Sequence, residues 1–327
     1  MQVRGIQDAD IAGKRVLLRV DYNVPLDMTR GKPIVIDDSR MRATLPTITL
    51  LRDKGAAKII LATHLGRPDG KIVEELRTAP LFAHLQTLVT TTDMEMLENL
   101  RFNPGEESND PAFAAELASK ADIFVNDAFA ASHRAHASIV GVAKLLPAYA
   151  GLLVESEIEK LSQALAPQKP SLAIVGGAKL ETKLPLIEAL AKIYDKLLVG
   201  GALAGEYKGG AANVLLPEDG IPERAPVCDI GPKTRAAWAA EIQKAAFVLW
   251  NGPVGVYEKS EYSGGTDALA AALVASGAHA VIGGGDTDEA LAKVHFDPEK
   301  VFISTGGGAT LEFLANGTLP GIEVLKA

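Results

Sequence analysis

Short unbroken apolar runs alternate with stretches of helical spacing along the whole chain. Val16-Leu17-Leu18-Arg19-Val20 has strand length, and Pro25 bars its continuation. Lys58-Ile59-Ile60-Leu61-Ala62-Thr63 and Ile123-Phe124-Val125 repeat the pattern, and Glu98-Asn99-Leu100-Arg101-Phe102 closes another strand. Between the first two runs, Ser39-Arg40-Met41-Arg42 leads into Leu45, Ile48 and Leu51, which predicts a helix. After residue 170 each apolar run meets glycine. Residues 172–175 run into Gly176-Gly177, Leu197-Leu198-Val199 into Gly200-Gly201, and Phe247-Val248-Leu249-Trp250 into Asn251-Gly252. Ala280-Val281-Ile282 runs into Gly283-Gly284-Gly285, ahead of a helix predicted from Asp288. Val301-Phe302-Ile303 leads to Gly306-Gly307-Gly308, with helical spacing from Thr310. Continuous apolar strands alternating with helices predict an α/β protein with two doubly wound, Rossmann-like parallel sheets. Residues 150–165 read as an amphipathic helix followed by the proline-bounded link Ala166-Pro167-Gln168-Lys169-Pro170, so the domains are expected to divide at 153/154 and to be joined by that helix and a hinge.

A chain of 327 residues with 47% hydrophobic and 23% charged content suffices for two cores. A net charge of −8 argues against general nucleic-acid binding. The single cysteine, Cys228, excludes an intrachain disulfide and fits a reducing cytoplasm. The most apolar long segment, 139–154, contains Lys144 and Pro147 and is too short to span a membrane. Asp8, Asp10, Lys14 and Arg15 interrupt any cleavable signal pattern.

Charge is unevenly placed. Of 13 arginines, 11 lie before residue 151, whereas 23 of the 31 glycines lie after residue 150. Arginine forks suit phosphate and carboxylate, and glycine turns at helix starts suit polyphosphate, so two anionic ligands are expected. Asp21, Asn23, Arg40, His64, Arg67, Arg101, Arg134 and His136 all follow strands, at the edge where open α/β sheets bind ligands. In the second half, Lys179 and Lys183 stand four apart at a helix start, beside Gly177. Asp286 taken alone suits a helix cap, but beside Lys179, Lys183 and the glycine turns it is expected to help hold Mg²⁺ with a nucleotide. No Walker A loop occurs, and no GxGxxG with an acid about 20 residues on argues for a dinucleotide.

Taken together these stretches resemble the phosphoglycerate kinase family. They are Arg19-Val20-Asp21-Tyr22-Asn23-Val24-Pro25, Asp38-Ser39-Arg40-Met41-Arg42, Thr63-His64-Leu65-Gly66-Arg67-Pro68, Leu97-Glu98-Asn99-Leu100-Arg101-Phe102 and His133-Arg134-Ala135-His136 in the first half. Gly176-Gly177-Ala178-Lys179, Trp250-Asn251-Gly252-Pro253, Gly283-Gly284-Gly285-Asp286-Thr287 and Ser304-Thr305-Gly306-Gly307-Gly308 follow in the second. The resemblance implies reversible transfer of a phosphoryl group between ATP and 3-phosphoglycerate, with Mg²⁺, by a cytoplasmic monomer of glycolysis and gluconeogenesis. It implies that Asp21, Tyr22, Asn23, Arg40, His64, Leu65, Gly66, Arg67, Arg101, Arg134 and His136 hold phosphoglycerate. Gly177, Lys179, Lys183, Asn251, Glu258, Gly284, Gly285, Asp286 and Thr287 would hold nucleotide, with Asp286 on the metal. Arg40, Lys179, Lys183, Gly284 and Gly307 would act on the group in transit. Residues 154–305 would form the nucleotide domain and 306–327 would return toward the first.

The chain is shorter than the family pattern in two places. Residues 83–89 reach Met96-Leu97 almost at once, and Gly200-Gly201 is followed by a brief segment before Val214-Leu215. The first loss is expected to trim a sheet edge. The second lies where the family surrounds adenine, so a looser base pocket is expected. A degenerate kinase fold that binds metabolites without turnover is the competing reading.

Overall fold

A computed structural model describes residues 2–29, 33–178, 180–223 and 227–326. They fall into two compact units, one running to Ile158 and resuming at Thr318, the other spanning Glu159–Gly317.

The first unit holds Arg15–Arg19 (β1), Leu26–Asp27 (β2), Ile34–Val35 (β3), Lys58–Ala62 (β4), Met94–Met96 (β5), Ile123–Asn126 (β6) and Ala148–Ala150 (β7). β2 and β3 form a small antiparallel ladder. The others make one sheet in the order β5-β4-β1-β6-β7, parallel throughout. Val16, Leu17 and Leu18 are fully buried, as expected of a central strand covered on both faces. Register levels the carboxyl ends: Arg19 stands opposite Ala62 on one side and Asn126 on the other. Asp21, His64 and Asp127 therefore leave the sheet at one edge. The predicted helix is two, Ser39–Ala43 and Leu45–Asp53, broken at Thr44 because Pro46 lacks the N–H that a continuous helix needs.

The second unit holds Ser171–Val175 (β8), Lys196–Val199 (β9), Val214–Leu215 (β10), Gly220–Ile221 (β11), Asp229–Ile230 (β12), Phe247–Asn251 (β13), His279–Gly283 (β14) and Val301–Ser304 (β15). β11 and β12 pair antiparallel, and the rest form a parallel sheet in the order β10-β9-β8-β13-β14-β15. Val175 is level with Val199 and Asn251, so the glycine turns emerge together. Helix Leu180–Ala191 buries Leu186, Ile187 and Leu190. Helices Gly285–Leu291 and Gly308–Asn316 start earlier than residues 288 and 310, because Gly284 (φ 113°) and Gly307 (φ 52°) turn the chain out of the strand within one residue.

The unit limits, 158/159 and 317/318, stand against the expected 153/154 and 305/306. Val154 and Ile158, on helix Leu152–Leu165, are buried and belong with the first unit. Helix Gly308–Asn316 packs on helix Leu180–Ala191 and stays with the second. Beyond it the chain rejoins the first unit: Gly321 N donates to Ser132 O at 2.8 Å and Arg4 N to Leu325 O at 2.9 Å. Both shortened stretches lead into edge strands, β5 and β10, where no further strand depends on their length. Among the described residues, no helix is long and apolar enough to cross a membrane.

Candidate functional site

In both units the winding direction reverses beside the strand met first, between β1 and β6 and between β8 and β13. Ligands of doubly wound sheets bind at such reversals.

At the first, basic groups converge. Asp21 and His64 are each 8% exposed, with His64 Nδ1 4.0 Å from Asp21 Oδ1. Arg40, from the helix Ser39–Ala43, pairs with Asp21 Oδ2 and keeps about a third of its side chain exposed. Arg101 is buried, donates from Nη1 to Gly66 O at 2.8 Å, and pairs with Glu107 at 3.0 Å. Gly66 turns with φ 64°, and its N–H donates to Asn23 Oδ1 at 2.9 Å, which fixes Asn23 against the β4 turn. Arg67 and Arg134 are exposed, and both repel Arg101. His136 is 6% exposed and reaches Glu106 at 3.6 Å. Burial, then Arg19, Arg101, His136 and Arg40, hold the His64 ring well below the ordinary imidazole range, so it is neutral at pH 7. Tyr22 and Leu65 are buried: the Tyr22 hydroxyl lies 2.7 Å from Thr44 Oγ1 and Leu65 is held through its backbone by Asn99. These two shape the crevice rather than offering it polar side-chain atoms.

At the second, turns carry the site. Gly176 N donates to Asn251 O at 2.9 Å, and Gly252 N to Thr287 Oγ1 at 2.7 Å. Asn251 is fully buried and donates to Gly283 O at 2.6 Å, while Lys183 Nζ donates to its Oδ1. Burial pulls the Lys183 ammonium down to about 8, and Asp286 acts in the opposite direction. The Thr287 hydroxyl is committed to Gly252 N and Gly283 O. Gly177 and Gly285 are open where a side chain would project, as a backbone receiving a bulky anion requires. Asp286 and Glu258 are exposed, and Gly307 opens the β15 turn. Lys179 lies outside the described residues. No cluster of three metal-ligating side chains exists among the described residues, and the exposed Asp286 stands in the 284–287 turn. That donor set fits Mg²⁺, which takes one or two carboxylates together with substrate phosphates.

Beside Gly201 a cavity of about 350 Å³ opens among Ala204, Leu216, Pro217, Val227 and Val254. It adjoins the β8 turn, since Leu203 N lies 3.4 Å from Gly177 O. Sequence reasoning missed two groups that brace the first site, Arg19 and Glu106. Arg19 could have been found, because a charged residue inside an apolar strand demands a buried partner. Glu106 sits in a turn with nothing in its spacing to mark it.

Comparison with known proteins agrees along the full length. The family model described as phosphoglycerate kinase matches residues 6–209 and 205–317, its two segments meeting in the shortened stretch after Gly201. The chain is similar to phosphoglycerate kinase of Herpetosiphon aurantiacus, 41% identical over 396 aligned positions covering 100% of both chains, and to that of Moorella thermoacetica, 39% identical over 98% of both. The former alignment is longer than the chain's 327 residues, so that relative carries segments absent here. Solved structures of phosphoglycerate kinase from Coxiella burnetii (TM-score 0.85, 35% identical, 99% of both chains) and Pyrococcus horikoshii OT3 (TM-score 0.81, 29% identical, 98% of both) share the fold. By its motifs, its fold and these matches, the chain belongs to the phosphoglycerate kinase family.

Proposed function

We propose that this protein transfers a phosphoryl group reversibly between ATP and the carboxylate of 3-phosphoglycerate, giving ADP and 1,3-bisphosphoglycerate, as a step of glycolysis and gluconeogenesis. The observation that carries this reading is the cluster of buried Asp21, His64 and Arg101 with the partly exposed Arg40 at the β1 and β4 ends, in a chain that also holds a glycine-turn site with Lys183. Asp21, Asn23, Arg40, His64, Arg67, Arg101, Arg134 and His136 hold phosphoglycerate; Tyr22, Leu65 and Gly66 shape its crevice. Gly177, Lys183, Asn251 and the 284–287 turn hold the nucleotide phosphates, Glu258 the ribose, and Lys179 joins them. A monomer in the cytoplasm is expected on the family resemblance alone.

The chemistry needs position and positive charge. The acceptor carboxylate is ionised at neutral pH, so no general base is required. Arg40, Lys183 and the N–H groups at Gly284 and Gly307 meet charge on the group in transit. Asp286 would hold Mg²⁺ with the nucleotide, and the ion when bound neutralises phosphate charge. Closure about the helix Leu152–Leu165 brings the reactants together and excludes water. A coupled assay of ADP formation from MgATP and 3-phosphoglycerate tests the reading. Ligand binding without turnover would leave a metabolite-binding protein instead.

Two further outcomes are expected. The cavity at Gly201, walled by the short 202–216 stretch, receives the base with little discrimination. Calorimetric titration should find ATP and GTP within about tenfold of each other, a difference of 1.4 kcal/mol; a strongly ATP-selective profile refutes the loose pocket. Lys183 is the second handle. A bound phosphate favours its charged form, so binding raises a value of about 8 in the free protein. Affinity should hold constant below that pH and fall, by up to about tenfold per unit, as pH rises through it. Calorimetry at pH 9 in buffers of different ionisation enthalpy should register proton uptake; equal heats would contradict it.

A further inference from the structure

A carboxylate buried among arginines and histidines works against anion binding unless it has a task there. Glu106 is fully buried and lies at the edge of the first site. Ser138 N donates to its Oε2 at 3.0 Å, Ser138 Oγ to its Oε1 at 2.6 Å, and His136 Nδ1 stands 3.6 Å from Oε1. Its own carbonyl accepts Ala137 N at 2.9 Å. The Ser138 hydroxyl in turn accepts Arg19 Nε at 2.9 Å. Arg19 is 1% exposed; it donates from Nη1 to Val20 O, and its Nη2 lies 3.2 Å from His64 Nδ1. One polar chain thus runs Glu106–Ser138–Arg19–His64, with His136 attached at the acidic end.

The chain's two ends impose opposite demands. A guanidinium has only donors, so His64 Nδ1 must accept and its proton sits on Nε2. A carboxylate has only acceptors, so at 3.6 Å Glu106 favours the His136 form with its proton on Nδ1. We propose that Glu106 is a positioning residue: through Ser138 and His136 it fixes the 134–138 turn and the His136 ring for 3-phosphoglycerate, while Arg19 sets the His64 ring from the other end. This rests on the functional reading of the first site given above. The carboxyl is kept ionised although burial opposes it, because His136, Arg19 and Ser138 together outweigh burial and hold it below the ordinary glutamate range. The other charges around this chain are Asp21 and Arg40 beside His64, and Glu107, Arg67 and Arg134 beside Arg101. None of them touches Ser138, so none substitutes for Glu106.

Glu106→Gln keeps the shape and removes the charge. It should raise KM for 3-phosphoglycerate about tenfold or more, the equivalent of losing one charged hydrogen bond, with kcat and nucleotide KM changed less than about threefold. Glu106→Asp should fall between. Ring ¹⁵N spectra of the unaltered protein at neutral pH should show His136 protonated at Nδ1 and His64 unprotonated there, and Glu106→Gln should move His136 toward the Nε2–H form. An unprotonated His136 Nδ1 in the unaltered protein, or a phosphoglycerate KM within twofold of normal in Glu106→Gln, overturns the proposal. If Glu106→Gln does not fold, Glu106→Asp and the unaltered spectra decide it. If the unaltered protein does not take 3-phosphoglycerate by calorimetry, the functional reading falls, and the ring signatures still decide whether Glu106 sets His136.

Discussion

Lys183→Ala should lower kcat by roughly 10²-fold or more, about 2.7 kcal/mol of transition-state stabilisation, in a protein that remains folded. Lys183 sits one turn into helix Leu180–Ala191, mostly removed from solvent, with its ammonium on Asn251 at the end of β13. Dehydrating an ammonium is costly, and its lowered proton affinity registers that cost. The cost is returned when charge develops on a phosphoryl group nearby, more fully in the transition state than with bound substrate. Removing the side chain leaves Asn251 still donating to Gly283 O, so the turn keeps its anchor. Arg40→Ala should act with similar size from the other unit. Its guanidinium is balanced by Asp21 and about a third of its side chain still faces solvent, as a group awaiting an anion would. Steady-state kinetics on the purified single variants, with thermal unfolding as a control for integrity, decides the matter. Near-normal turnover in either would remove that residue from the group in transit.

Gly252→Ala should cause the largest loss of stability, about 3 kcal/mol or more, confined to the 159–317 unit. Gly252 adopts φ 95°, which strains any side chain. Added Cβ would also stand 2.2 Å from Gly176 O and 2.5 Å from Gly176 C, both backbone. The crossing is reciprocal, since a Cβ on Gly176 would stand 2.1 Å from Pro253 O. Neither turn can retreat: Gly176 N is tied to Asn251 O, and the buried Trp250 indole donates to Gly252 O at 2.9 Å. Nucleotide binding should weaken in parallel, because the same turns carry Gly177 and Asn251. Denaturant unfolding followed by Trp fluorescence, which reports Trp238 and Trp250 in this unit, measures the effect. An unchanged midpoint would mean the turns separate without penalty.

Much of this was legible because parallel sheets write themselves plainly. A strand buried on both faces must be apolar along its length, so β1, β4, β6, β8 and β13 stood out, and their ends named the site. Pattern was silent where tertiary contacts chose the outcome. At the helix break the Thr44 hydroxyl meets Tyr22, a contact that no local pattern announces. Tyr22 and Thr287 read as ligand groups by their motifs, yet their hydroxyls are taken up by Thr44 and by Gly252 and Gly283. Glu106 shows the limit most clearly: its partners Ser138 and His136 are some thirty positions away in sequence, and only the fold brings them together.

The return of residues 318–326 to the first unit bears on how the protein is made. The 159–317 unit is continuous in sequence and is complete before the chain has been fully synthesised. The first unit, begun earliest, must wait for its last residues, which seat Gly321 on Ser132 and Leu325 on Arg4. Seen from the ribosome, the 159–317 unit is an insertion that finishes first. The first unit passes most of synthesis with the Ser132 turn, four residues from His136, still uncovered.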